Sequence, residues 1–153
     1  MRPQEREADE QEVFPALQLV LPEHLLLTAQ SRTRSLFSFS FSLQPDIPPS
    51  LMVHQQFTPT EWRVLLPLLR GFPSVIPYET LLAALHRIKL VESRELTRLN
   101  DRNGSSREIL RPLRDTISRL RTKVQPFSFD IATKTGKGYV ITIPDPVATR
   151  AQW

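Results

Sequence analysis

Between Leu110 and Val124 the chain repeats apolar residues at helical spacing and fills the intervening positions mainly with arginine, lysine, hydroxyl and aspartate side chains. At 3.6 residues per turn, Leu110, Leu113, Ile117, Leu120 and Val124 fall within about a quarter turn of one another, a narrow stripe that has to be buried. Arg111, Arg114, Asp115, Ser118, Arg119 and Thr122 lie opposite, with Arg121 and Lys123 on the flanks. Two apolar stretches follow, Phe127 to Ala132 and Tyr139 to Ile143, and read as the strands of a small hairpin. Its tip, Thr133 to Gly138, carries Gly136 and Gly138, read as supplying the positive φ angles of a tight turn. A helix that docks by one seam presents the other side as a row of donors. The major groove of DNA accepts a face of that width and chemistry.

The charge distribution agrees with a polyanion partner. Residues 1–56 hold four basic and seven acidic groups, a net of −3, whereas residues 57–143 hold fifteen basic and eight acidic groups, a net of +7. A basic block on a neutral or acidic support is the electrostatic footprint expected of a nucleic-acid binder. With 153 residues, 40% hydrophobic and 24% charged, the chain has the make-up of one globular domain plus tails. The absence of cysteine excludes disulfides, thiolate metal sites and thiol nucleophiles. No apolar run approaches membrane-spanning length and the acidic N-terminus does not resemble a signal peptide, so a cytoplasmic protein without membrane contact is expected.

Four regions follow from the pattern. Residues 1–12 read as a disordered acidic tail. Residues 13–56 read as antiparallel strands: Ala16 to Leu21, His24 to Thr28, Ser35 to Leu43 and Leu51 to Gln55. In the third of these, Phe37, Phe39, Phe41 and Leu43 alternate with Ser38, Ser40 and Ser42, giving one apolar face expected to be core. Residues 57–143 read as three helices and the hairpin, and residues 144–153 as a tail. Thr58 is placed as N-cap of the first helix, Pro59 as its first residue, and Glu61 as the partner in a capping box. Trp62, Leu65, Leu66 and Leu69 form its buried stripe, Pro67 is expected to kink it or shorten its last turn, and Gly71 stops it. Pro77 opens the second helix, with Leu81, Leu82, Leu85 and Ile88 inward. The polar, basic stretch from 86 to 108 reads as a long connection. Ser105-x-x-Glu108 offers one start for the third helix and Pro112 another, and both fit the sequence.

The order strands, three helices, hairpin describes an α+β winged helix-turn-helix. Four segments carry the likeness further: Phe57-Thr-Pro-Thr-Glu-Trp-Arg-Val-Leu65, Val75-Ile-Pro-Tyr-Glu-Thr-Leu-Leu-Ala-Ala-Leu85, Ile117-Ser-Arg-Leu-Arg-Thr-Lys123 and Thr135-Gly-Lys-Gly-Tyr139. In this order they resemble the OmpR/PhoB-type effector domain, the DNA-binding half of many bacterial two-component response regulators. The resemblance implies a three-helix core between an N-terminal antiparallel sheet and a C-terminal β-hairpin wing. It also implies a sequence-specific, double-stranded DNA-binding transcription regulator in the bacterial cytoplasm. The third helix would enter the major groove and the wing would lie on the adjacent minor groove or backbone. By position, Arg111 and Arg121 are implied as backbone contacts, Arg119 as a groove-facing arginine, and Thr133 and Tyr139 as wing contacts. Arg114, Asp115, Ser118, Thr122, Lys134, Thr135 and Lys137 complete the expected surface. The sequence departs from the family at Arg114, where an acidic residue is common, at Asp115, where a small apolar one is common, and at Thr135, which replaces a frequent arginine. The 86–108 connection is longer than usual. In the family it contacts RNA polymerase, which implies the polymerase or another protein as a partner here; a homodimer on DNA is implied in the same way. No receiver domain is expected in these residues.

Nothing in the chain points to catalysis or to a cofactor. His24, His54 and His86 are far apart and lack the i, i+4 partners of a metal site, so no metal is expected. Gly136-Lys-Gly138 follows no phosphate-loop pattern, and no nucleophile-elbow motif surrounds any serine. Asp115 is expected either to pair with Arg111 or Arg119 or to accept from a cytosine amine. The alternative to DNA binding is a winged helix used only for protein–protein interaction, docking through the long loop and the Phe/Ser strand.

Overall fold

Four strands near the N-terminus pair antiparallel, each with the next in the chain. They are β1 (Glu12–Val13), β2 (Leu25–Gln30), β3 (Ser35–Ser40) and β4 (Ser50–Gln56), in the spatial order β1-β2-β3-β4. The computed structural model describes residues 11–102 and 106–144. Residues 1–10 of the expected acidic tail and 145–153 of the C-terminal tail lie outside the described residues. Glu12, assigned by sequence to that tail, instead belongs to β1 and ion-pairs with Arg70 at 2.7 Å.

Ala16 to Leu21 is not a strand. Pro15–Val20 forms a short helix, α1, with proline at its first turn, Leu17 turned into the core, and Leu19 and Val20 exposed. Phe14, Leu17 and Leu21 are buried at near-helical spacing, a pattern that period-two alternation cannot produce. β3 ends at Ser40, short of the expected Leu43, and its faces are reversed. Leu36 and Ser38 point into the core opposite Ala29 and Leu27, whereas Phe37 and Phe39 are only half-buried and Phe41 and Leu43 are exposed. Alternation identifies which residues share a face; it does not identify which face is covered. On the outer side Phe37 stacks on His54, with ring centroids 4.6 Å apart.

The helical part follows its sequence signals more closely. α2 (Pro59–Gly71) begins with the complete capping box: Glu61 N–H donates to Thr58 Oγ1 at 3.2 Å, and Thr58 N–H donates to Glu61 Oε1 at 2.9 Å. Its buried face is wider than the expected stripe and includes Glu61, Val64 and Leu68 beside Trp62, Leu65 and Leu69. Pro67 lies inside the helix as expected. Trp62 Nε1 donates to Ser31 Oγ, tying α2 to the turn between β2 and β3. β5 (Ile76–Pro77) leads directly into α3 (Tyr78–His86), with Leu81, Leu82, Ala83 and Leu85 buried.

The 86–108 connection is not a loop. It contains α4 (Leu90–Arg102), built of good helix formers and stitched by an Arg98–Glu95 pair at i, i+3. Ser93 ties it to α3: its buried hydroxyl donates to the Glu79 carbonyl at 2.6 Å. With only four apolar residues in thirteen, the segment reads by composition as a polar connection, which hides the helix. α5 (Ser106–Val124) takes the early start, and Pro112 sits inside it; Ser105 lies outside the described residues. A short 3₁₀ turn, Gln125–Phe127, precedes β6 (Asp130–Lys134) and β7 (Gly138–Thr142), so Phe127 belongs to the turn and not to the first hairpin strand. The second sheet has the order β5-β7-β6. One continuous hydrophobic cluster joins Leu27, Leu36, Trp62, Leu65, Leu81, Leu113, Leu120 and Ile131.

Candidate nucleic-acid interface

The candidate surface is built on the amphipathicity of α5. Leu113, Ile117, Leu120 and Val124 are buried as the spacing requires, and Leu110 is half-buried. Thr116 joins them, its hydroxyl donating back to the Pro112 carbonyl at 2.8 Å. On the other side Arg111, Arg114, Asp115, Ser118, Arg119 and Thr122 are all exposed. Neither the N-terminal sheet nor α4 covers them. Asp115 pairs with neither neighbouring arginine; the ion pair of Arg119 is made with Glu61 of α2.

The hairpin is fixed to this helix by Arg121. Its Nε donates to the Ile131 carbonyl and its terminal nitrogen to Thr133 Oγ1, both at 2.8 Å. Arg121 and the Thr133 hydroxyl, expected to face phosphate, are thus engaged with one another across the helix–hairpin joint. The second support is β5, which pairs Ile76 with Tyr139 and Pro77 with Gly138. Tyr139 is only 4% exposed and meets Tyr78 edge-on, with centroids 5.5 Å apart. Burial and the neighbouring Tyr78 push its hydroxyl up in pKa, against the opposing pull of the Arg114 and Arg121 charges. Tyr139 is therefore a buried strut between hairpin and helix, while Thr133, Lys134, Thr135 and Lys137 are the exposed hairpin positions. Gly136 holds φ +77 at the tip. Gly138 has no positive φ, and its lack of a side chain serves a different end: close approach of β5.

The residue that sequence reading undervalued is Glu61. Beyond its capping role, its carboxylate is 1% exposed, with Oε1 accepting from Lys123 Nζ at 2.6 Å and Oε2 lying 3.5 Å from Arg119 Nε. Lys123 also stands 5.7 Å from the centre of the Phe57 ring. The signal was present: Glu61, Leu65 and Leu68 share the i, i+4, i+7 spacing of a buried face, and a carboxylate there requires a cation. Burial pushes the Glu61 carboxyl up, but the Lys123 hydrogen bond and charge and the bonds with Thr58 outweigh it, holding the carboxyl below its ordinary value of 4.5. A depressed folded-state value means stability that is present above pH 4.5 and is lost as pH falls through the folded value. Thermal midpoints followed from pH 7 to pH 3 should therefore drop more steeply in the wild type than in Glu61→Gln. The Glu12–Arg70 pair, which also lowers its carboxyl, is common to both proteins. Parallel curves would contradict this.

No protein-family model, characterised protein or solved structure matches this chain. The chemistry of the surface has to carry the functional reading. An exposed row of guanidinium and hydroxyl groups on a rigid helix, beside a hairpin bearing two exposed lysines, can donate to base edges and to phosphates at once, while the Asp115 carboxylate can only accept. Among the described residues no helix is long and apolar enough to cross a membrane.

Proposed function

We propose that this chain is a winged helix-turn-helix of OmpR/PhoB type that binds double-stranded DNA in a sequence-specific way and regulates transcription in a bacterium. α5 lies in the major groove and the β6–β7 hairpin on the neighbouring backbone. The observation that carries this reading is the open side of α5, where Arg111, Arg114 and Arg119 are all exposed beside a hairpin held by Arg121. Arg114 and Arg119 are the base-reading candidates, because a guanidinium pairs bidentately with guanine O6 and N7. Ser118 and Thr122 supply shorter donors. Lys134 and Lys137 act as phosphate contacts.

The test is selection of bound fragments from random duplexes, followed by salt titration of the best one. Arg119→Ala should cost about 1–3 kcal/mol at the selected site. Lys134→Ala and Lys137→Ala should weaken selected and random duplexes alike, each flattening the salt slope by about one unit. An affinity insensitive to both salt and Arg119→Ala would refute the proposal.

A second reading, docking of a protein, is favoured by the outer face of the N-terminal sheet, where Phe41, Leu51 and Met52 are exposed beside half-buried Phe37 and Phe39. Exposed Val91 and Leu96 on α4 mark where a partner of the 86–108 segment, such as RNA polymerase, would meet the chain. Binding of a protein with no DNA affinity at low salt would favour this second reading over the first.

A further inference from the structure

We infer that Glu61, a residue of α2 outside the exposed face of α5, is a positioning residue for sequence readout, because it holds Arg119 and Lys123 of α5 in one arrangement. The inference rests on the DNA-binding reading. Its geometry is independent of that reading.

Three contacts meet at one buried carboxylate. Oε1 accepts from Thr58 N–H at 2.9 Å and from Lys123 Nζ at 2.6 Å, and Oε2 faces Arg119 Nε at 3.5 Å. A second tether reaches the same guanidinium, whose terminal nitrogen donates to Thr116 Oγ1 at 3.3 Å. Thr116 is itself buried and bonded to the Pro112 carbonyl. Arg119 is thus held from two sides, yet its side chain remains 54% exposed and its outer nitrogens keep donors to spare. Arg111 and Arg114 have no comparable tether among the described residues.

A freely rotating arginine loses much of its rotamer freedom when it engages a base, and that loss subtracts from the discrimination it delivers. An arginine already ordered by a buried carboxylate loses less. The same carboxylate withholds Lys123, and part of Arg119, from indiscriminate phosphate contact. Glu61 should therefore raise the ratio of specific to non-specific binding without touching DNA.

Glu61→Gln tests this on the full chain, because glutamine preserves the capping box while removing the charge. Two probes are used: the duplex selected by the wild type, and a random-sequence duplex of equal length. Glu61→Gln should reduce discrimination between them by about tenfold, the span of one good base contact. Affinity for the random duplex should hold or rise. In an Arg119→Ala background, Glu61→Gln should reduce discrimination far less than it does in the wild type, since only the release of Lys123 remains. Equal losses on both duplexes would mean a merely structural role and overturn the inference, as would unchanged discrimination. A wild-type chain that binds neither duplex would overturn the DNA-binding reading itself, and the inference with it. Should the variant fail to fold, nitrogen-15 relaxation of the arginine side chains in the wild type decides the matter. The Arg119 Nε–H should be ordered while that of Arg111 is mobile, and equal mobility would overturn the inference.

Discussion

Gly138→Ala should detach the hairpin from β5 and destabilise the fold by about 3 kcal/mol or more. Gly138 pairs directly with Pro77, and a methyl group built on it would overlap the Ile76 carbonyl oxygen. It would also lie 2.7 Å from the Ile76 carbonyl carbon and 2.9 Å from the Pro77 Cα. All three atoms belong to the backbone, so no side-chain rotation can relieve the clash. Overpacking against movable side chains commonly costs about 1–3 kcal/mol, and a backbone obstacle places the cost at the upper end or beyond. Either β5 moves off β7, losing the Ile76–Tyr139 pairing and uncovering Tyr139, or the hairpin tilts away from Arg121.

Gly136→Ala is the contrasting variant. That glycine has φ +77 and open space around its missing Cβ, so only the left-handed backbone penalty applies, about 1–2 kcal/mol. Urea unfolding at neutral pH distinguishes the two. If Gly138→Ala proved as mild as Gly136→Ala, the close packing of β5 on β7 would be wrong. Where the proposed function holds, Gly138→Ala should weaken selected and random duplexes together, because Lys134 and Lys137 lose their support at once.

The difference between these glycines illustrates what the sequence could convey. Local rules with a single physical cause were legible. Thr58-Pro59-x-Glu61 specified a capping box, the repeat from Leu113 to Val124 specified the buried seam of α5, and the exposed row from Arg111 to Thr122 followed by elimination. What was not legible depends on which surfaces meet. The alternation in β3 was seen, but the choice between its faces is made by whatever packs on Leu27, Ala29 and Leu36, and that lies elsewhere in the chain. α4 escaped because its apolar residues are few among charged ones, and the Ser93 hydroxyl that ties it to the Glu79 carbonyl carries no hydrophobic signal. Arg121 and Tyr139 read as ligand contacts from their place in a motif, whereas the structure engages Arg121 with Ile131 and Thr133 and buries Tyr139 against Tyr78. Glu61 was visible as a cap and invisible as an ion-pair centre, since its partners Arg119 and Lys123 are about sixty residues further along the chain.

Leu120→Ala should be the most damaging simple truncation in α5. Leu120 is fully buried between Arg119 and Arg121 in sequence, on the seam that docks α5 into the core beside α2. Removing its branched end forfeits the transfer energy of the lost carbons and leaves a cavity that a helix pinned on several sides cannot collapse. Such changes cost about 2–5 kcal/mol. The pinning is visible in the residues around it: Arg121 is held by β6, Lys123 and Arg119 by Glu61, and Ile117 and Val124 lie on the same buried seam. These restraints oppose relaxation and place the expected value in the upper half of that range. Leu43→Ala is the control, because that side chain is fully exposed at 104%, and its loss should change stability by no more than about 0.5 kcal/mol. Chemical denaturation of the two variants checks both figures. If Leu120→Ala cost as little as Leu43→Ala, α5 would not be seated by its apolar seam, and its arginines would have no fixed orientation to offer a DNA groove.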